Sequence, residues 1–481
     1  MFKRFFLLTF LTFAFAAPAI AQEAPIDTIA KQAYMIDFET GTILFEKNAD
    51  QRMPTSSMSK TLTAYVIFEA LKKGTITLDT KYAVSERAWR MQGSKMFVEL
   101  GKEIRVEDLL KGVIVQSGND ATVVLAEGLS GTEGAFAAEL NKTAQAIGMK
   151  SSHFVNASGW PDPDHYSTAH DLAMLGRELV HNFPQYYAYY SEKEFTYNNI
   201  KQGNRNPLLY RNIGADGIKT GHTEDAGYGL MASAKMNGRR VVLVVNGLPD
   251  MQARADESAK LIEWGLRTFE NKTVFKSDQT IEEIPVVMGT QSSVPLVISH
   301  DVMITVPRMA VDTIKAVVKY DAPLKAPVKK GQQVGTLDVT VPGTSVKKSY
   351  PLVTGADVAE LGFFKKAFAH MKYTFSGGKV ADVKPVEAVV ETPAAEESAT
   401  TPATDAPLTD ATDKAAPAET IPSTTPALDA PMKDETAEVK PAADVAPVET
   451  PETTAPAVKT IEEATPPMPA PAAPATTEMM E

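Results

Sequence analysis

The 481 residues include no cysteine. Disulfides, cysteine-based metal sites and a lipidated N-terminal cysteine are therefore excluded. Histidine is scarce, with seven in the chain, and none stands in an H-E-x-x-H pattern, so zinc catalysis is disfavoured. No metal or cofactor is expected. The apolar run from Phe5 to Ala17 is short for a membrane span. Lys3 and Arg4 precede it, Pro18 breaks it, and Ala19-Ile20-Ala21 offers a cleavage site. Residues 1–21 thus read as a signal peptide, and the chain as exported.

Beyond Val380 there is no Phe, Trp or Tyr, and seventeen of the 32 prolines lie there. Such a stretch cannot bury enough apolar surface to offset the entropy of ordering it. Residues 380–481 are expected to form a disordered tail rich in Pro, Ala and Thr. The formal charge of −12 belongs to this tail: residues 381–481 hold twenty Asp and Glu against five Lys, a net of −15, which leaves +3 on the remainder. A nearly neutral folded part gives nucleic-acid binding no support.

What remains divides into three. The first part, residues 30–270, opens on a β-hairpin, Ala33–Phe38 and Thr42–Glu46. Helical patterns follow at Thr61–Leu71, Val106–Val115, Ala121–Leu129, Glu133–Ile147 and Ser167–Val180. Strands return at Asp216–His222, Tyr228–Lys235 and Arg239–Asn246, the last two joined by the tight-turn pair Asn237-Gly238, and a helix closes the part at Glu257–Phe269. This predicts an α+β domain, with one antiparallel sheet drawing strands from both ends and flanked by a helical block. The second part, 274–355, alternates short β-rich runs with Gly and Pro turns and reads as a small all-β domain. The third, 357–376, places Leu361, Phe364, Phe368, Met371 and Phe375 on one helical stripe with lysines around it. That pattern suits peripheral contact with an anionic membrane surface.

The chemistry centres on Pro54-Thr55-Ser56-Ser57-Met58-Ser59-Lys60, read as the capped start of a buried helix. Thr55 or Ser56 is placed to cap it, and Gly74 to end it in a left-handed turn. Ser57 and Lys60, three apart, project from one face. A serine hydroxyl is a weak nucleophile until a base takes its proton, and an amine serves once burial or a second cation lowers its pKa. S-x-x-K alone is weak and recurs at Ser345 and Ser376. It gains weight from Ser117-Gly118-Asn119, between two helices, and Lys219-Thr220-Gly221, on a strand.

In this order and setting the three motifs resemble the penicillin-recognising serine enzymes. Within them the fit is to the low-molecular-weight penicillin-binding proteins that act as D-alanyl-D-alanine carboxypeptidases. Tyr34-Met35-Ile36-Asp37 and Asn48-Ala49-Asp50 ahead of the serine add to the fit, as do Lys219 to Thr223, Ala226-Gly227-Tyr228 and Glu257-Ser258 through Trp264-Gly265. The resemblance covers about residues 30–375. It implies a β-lactamase/transpeptidase-like fold and a periplasmic enzyme on the outer face of the cytoplasmic membrane. It also implies removal of the terminal D-alanine from peptidoglycan pentapeptides, with β-lactams as acylating inhibitors.

Carried over by position, Ser57 is the nucleophile and Lys60 its base, with Lys219 helping to keep Lys60 neutral. Ser117 relays a proton to the leaving D-alanine, and Asn119 orients the substrate amide and Lys60. The Ser57 and His222 N–H groups form the oxyanion hole, Lys219, Thr220, Gly221 and His222 make up the substrate-binding strand, and Thr220 with Arg254 holds the terminal carboxylate. Arg205 is a weaker candidate at the rim. A class A β-lactamase would carry S-D-N and a deacylating glutamate in an E-x-x-L-N segment. Here Gly118 takes the middle position, and Leu140-Asn141 has Ala137 where the glutamate belongs, so fast β-lactam hydrolysis is not expected. A DD-endopeptidase shares the motifs and stays open as an alternative. A non-catalytic wall-associated protein is disfavoured because all three motifs are intact.

Overall fold

The computed structural model describes residues 26–344 and 346–367 and the backbone of Val386–Val389. The signal peptide expected at 1–21, the terminal helix beyond residue 367 and the rest of the tail lie outside the described residues.

The peptidase part is built on a five-stranded antiparallel sheet in the order Ile43–Lys47, Gln32–Asp37, Arg239–Leu248, Gly227–Met236, Ala215–Thr223. The N-terminal hairpin joins strands from two hundred positions later, with Gln32 opposite Asn246 and Asp37 opposite Val241. Each face buries a core. On one, Met35, Leu230, Leu243 and Val245 pack against Leu261, Ile262 and Leu266 of the helix Met251–Thr268. On the other, Ile218, Met231, Val242 and Val244 join the helical block. At the centre of that block is the helix Lys60–Lys72, buried at every position except Glu69 and Lys72. Leu62, Tyr65, Val66, Phe68 and Leu71 are apolar on more than one face, as suits a helix surrounded by protein. Gly74, at φ +71, ends it, with Thr75 N–H bonded to Ala70 O and Gly74 N–H to Leu71 O.

The entry to this helix differs from the expected side-chain cap. Ser56–Ser59 form a 3₁₀ turn, and neither Thr55 nor Ser59 caps with its side chain. The Thr55 and Ser59 hydroxyls bond each other instead, so the tighter turn takes over the work of a cap.

The helix Met251–Thr268 runs directly into the strand Phe269–Phe275, the first of the β domain. That strand pairs with Val302–Pro307, and a seven-stranded sheet completes the domain over a core that includes Ile284, Leu296, Ile304, Leu337 and Leu352. The strand Ser293–Ile298, central to that sheet, was not foreseen, because Pro295 and two serines obscure its pattern. Two expectations change. Residues 357–361 are not helical: Val358 is buried and bridges Val328, Glu360 bridges Gly289, and Leu361 N–H bonds Met288 O. Burial of Val358 in the β domain outweighs the helical spacing, and helix is described only at 363–367, where Phe363 and Phe364 are 81% and 86% exposed. Val386–Val389, within the stretch expected to be disordered, pairs with Lys315–Val318. Among the described residues no helix is long and apolar enough to cross a membrane.

One polar network fastens the two domains. Asp37, fully buried, accepts from Arg239 Nε at 2.8 Å and from Asn271 Nδ2 at 3.1 Å, and Arg239 also donates to Gly265 O and Phe269 O. Lys348 reaches back from the β domain to Thr40 O and Thr42 Oγ1. Removing one partner of a buried ion pair costs about 3–5 kcal/mol because the other charge is left unpaired. Asp37→Ala should therefore lower the unfolding midpoint markedly in calorimetry; an unchanged midpoint would mean that the pair contributes nothing.

Candidate active site

Three segments meet at the free edge of the sheet. The 3₁₀ turn brings Ser57, half-buried and open to the cleft, and the first residue of the helix brings Lys60, fully buried. The connection between the helices Val106–Ile114 and Asn119–Ser130 brings Ser117 and Asn119. The edge strand Ala215–Thr223 brings Lys219, Thr220, Gly221 and His222. Strand and turn are in backbone contact: a Cβ on Gly221 would lie 3.0 Å from Thr55 O and 3.2 Å from Ser56 Cβ.

The Lys60 amine has three neighbours, Ser57 Oγ at 2.8 Å, Asn119 Oδ1 at 2.7 Å and Ser158 O at 2.6 Å. Asn119 Nδ2 donates to Gln92 O at 2.7 Å, which turns its carbonyl oxygen toward the amine. A neutral amine has two N–H donors and one lone pair. Two of the three neighbours can only accept, so both N–H groups are used there and the lone pair is left facing the Ser57 hydroxyl. Lys219 Nζ donates to Ser117 Oγ at 3.0 Å and to Thr220 O at 3.2 Å. Ser117 holds a left-handed backbone, φ +62, a conformation costly for a non-glycine residue and found preferentially at functional sites.

Arg254, on the helix Met251–Thr268, is buried beside this cleft. Its guanidinium lies 5.5 Å from the Tyr228 ring, on which His222 stacks at 3.9 Å, and its Nε has no partner. Arg205 stands at the rim and donates to Ser94. Among the described residues none of Lys60, Lys219, Arg205 and Arg254 has a carboxylate partner within 4 Å, and no cluster of metal-ligating side chains is present. The guanidinium groups of Arg205 and Arg254 give the cleft positive charge, with no carboxylate among the described residues in contact to offset it.

The sequence family described as D-alanyl-D-alanine carboxypeptidase matches residues 18–249, and that described as penicillin-binding protein 5, C-terminal domain, matches 269–360. The D-alanyl-D-alanine carboxypeptidase DacC of Escherichia coli is 39% identical over 378 residues, which cover 76% of this chain and 94% of that protein. DacA of Haemophilus influenzae is 38% identical, covering 78% of this chain and 99% of that protein. The chain belongs to the D-alanyl-D-alanine carboxypeptidase family. Among solved structures, penicillin binding protein 5 from Haemophilus influenzae superposes with a TM-score of 0.66 at 40% identity, over 70% of this chain and 99% of its own. The carboxypeptidase DacD from Francisella tularensis gives 0.62 at 33%, over 71% of this chain and 96% of its own.

In this carboxypeptidase-family site the electrostatics favour neutral lysine amines. Burial first, then the positive charge of Arg205, lower the Lys60 amine to about 7, against an opposing pull from the buried Asp120. Burial, then Lys60, Arg205 and Arg254, hold the Lys219 amine well below the usual range for a lysine. The influences that lower Lys60 are burial and Arg205, while Lys60 in turn depresses Lys219. Ser158 was not foreseen from sequence, because a main-chain carbonyl leaves no residue-type signal. The turn pattern Asn156-Ala157-Ser158-Gly159 was the one readable trace of it. Only a neutral amine can take a proton, so with Lys60 in the role of base, acylation by a penicillin should speed up as pH rises through about 7 and then level off. Arg205→Gln removes a charge that disfavours the ammonium, so the midpoint should move to higher pH. A rate profile with an unmoved midpoint would refute this assignment.

Proposed function

We propose that this chain is a serine-type D-Ala–D-Ala carboxypeptidase that trims the terminal D-alanine from peptidoglycan pentapeptides outside the cytoplasmic membrane, and that penicillin acylates it. The observation that carries this reading is the fully buried Lys60 amine 2.8 Å from Ser57 Oγ, with two carbonyl acceptors for its N–H groups. The substrate carboxylate enters the cationic cleft, held by Thr220 and by the guanidinium of Arg254, whose fork suits a carboxylate. Lys60 takes the Ser57 proton as Oγ bonds to the carbonyl carbon of the penultimate D-alanine. The N–H groups of Ser57 and His222 stabilise the oxyanion. Collapse breaks the C–N bond, and Ser117, backed by Lys219, passes a proton to the departing amine. Water then cleaves the Ser57 ester, giving the shortened peptide and the free hydroxyl. Asn119 keeps Lys60 and the substrate amide in line. The terminal segment from residue 357, with Phe363 and Phe364 exposed, serves as a peripheral membrane contact.

Two measurements test this reading. Ser57→Ala should lose both fluorescent-penicillin labelling and D-alanine release from a pentapeptide while keeping the wild-type melting curve. Retained labelling would refute the nucleophile, and labelling of the wild type without D-alanine release would favour a cross-link substrate. A chain ending before Asp357 should no longer sediment with anionic vesicles; undiminished sedimentation would sink the membrane contact.

A further inference from the structure

The acceptor that completes the environment of Lys60 is a carbonyl in a loop, and that loop is held by side chains with no part in the chemistry. Asn156 Oδ1 accepts from the backbone N–H groups of Ser158 (3.1 Å), Gly159 (2.8 Å) and Trp160 (3.1 Å), and from Ser158 Oγ at 3.3 Å. Its Nδ2 donates to Trp160 O at 3.0 Å. The turn so formed needs Gly159, at φ +78, where a Cβ would fall 1.8 Å from Ser56 O. Ala157 is pinned on both sides: its N–H donates to the buried Glu133 at 3.1 Å, and its carbonyl accepts from Thr63 Oγ1 at 2.6 Å. Thr63 lies one turn beyond Lys60 on the same helix, so the loop is fastened to the element that carries the base.

We infer that Asn156 is a positioning residue for the general base: its amide folds the turn that delivers the Ser158 carbonyl to the Lys60 amine. This rests on the reading of Lys60 as the base. Without that carbonyl the amine loses one of its two fixed acceptors, the group turns about its last carbon–carbon bond, and its lone pair no longer stays on Ser57 Oγ. A displacement of about 1 Å in a reacting group can cost a hundredfold in rate. Asn156→Asp keeps an acceptor for the three N–H groups and gives up only the donation to Trp160 O, while its added negative charge favours the ammonium form of Lys60.

The test is the pH profile of penicillin acylation for the full exported chain, normalised to folded protein by circular dichroism. For Asn156→Ala the alkaline plateau should fall about tenfold to a hundredfold. Asn156→Asp should recover most of the plateau with its acid limb moved to higher pH. A purely structural role would lower the melting temperature and leave the plateau of the folded fraction intact. A wild-type plateau for Asn156→Ala, or equal losses in both variants, overturns the inference. Should Asn156→Ala not fold, Thr63→Val, which releases the Ala157 carbonyl, should lower the same plateau, and a wild-type plateau in it also overturns the inference. A wild-type chain that penicillin does not acylate would instead remove the reading of Lys60 on which the inference rests.

Discussion

An amine taken wholly out of water governs this structure. Burying an ammonium is costly unless it is paired, and the chain offers Lys60 two carbonyl acceptors and a hydroxyl but no carboxylate in contact. The arrangement balances the free energies of its two protonation states near neutral pH. It requires Lys60 at a helix start, Asn119 from one loop and Ser158 from another. The buried helix, the break between the two helices that follow and the loop after residue 154 all serve that balance. Much of the helical block can be read as the low-dielectric wall that the lysine needs.

The fold was legible where local pattern and tertiary environment agree. The hairpin, the strand pair around Asn237-Gly238 and the helices of the block each bury the face that their spacing exposes. The three motifs were readable because each pairs a side chain with a local setting, such as a helix entry or a strand edge. Legibility failed where a main-chain group acts, as at Ser158, and where a proline sits inside a strand, as at Pro295. It failed again where burial of a single residue overrides periodicity, as at Val358. The 3₁₀ entry to the helix belongs with these, since its hydroxyl pair lies beyond what capping preferences describe.

The two domains share elements. The helix that carries Arg254 at one end continues at the other into the strand Phe269–Phe275, and Asp37, in the central sheet, bonds both Arg239 and Asn271. The orientation of the guanidinium in the cleft is thus tied to the packing of the β domain through one rigid element and a buried ion pair.

The close approach of Gly159 to the Ser56 carbonyl, and of Gly221 to that of Thr55, bears on how such a site can change over evolutionary time. Backbone approaches backbone on two sides of Ser57: a Cβ on Gly159 would fall 1.8 Å from Ser56 O, and one on Gly221 would sit in tight contact, 3.0 Å from Thr55 O, so neither position offers a side chain whose trimming would widen the pocket. At the exposed rim, where Trp160 and Arg205 stand, it is side chains that face the solvent, and substitution there meets less constraint than at the two glycines.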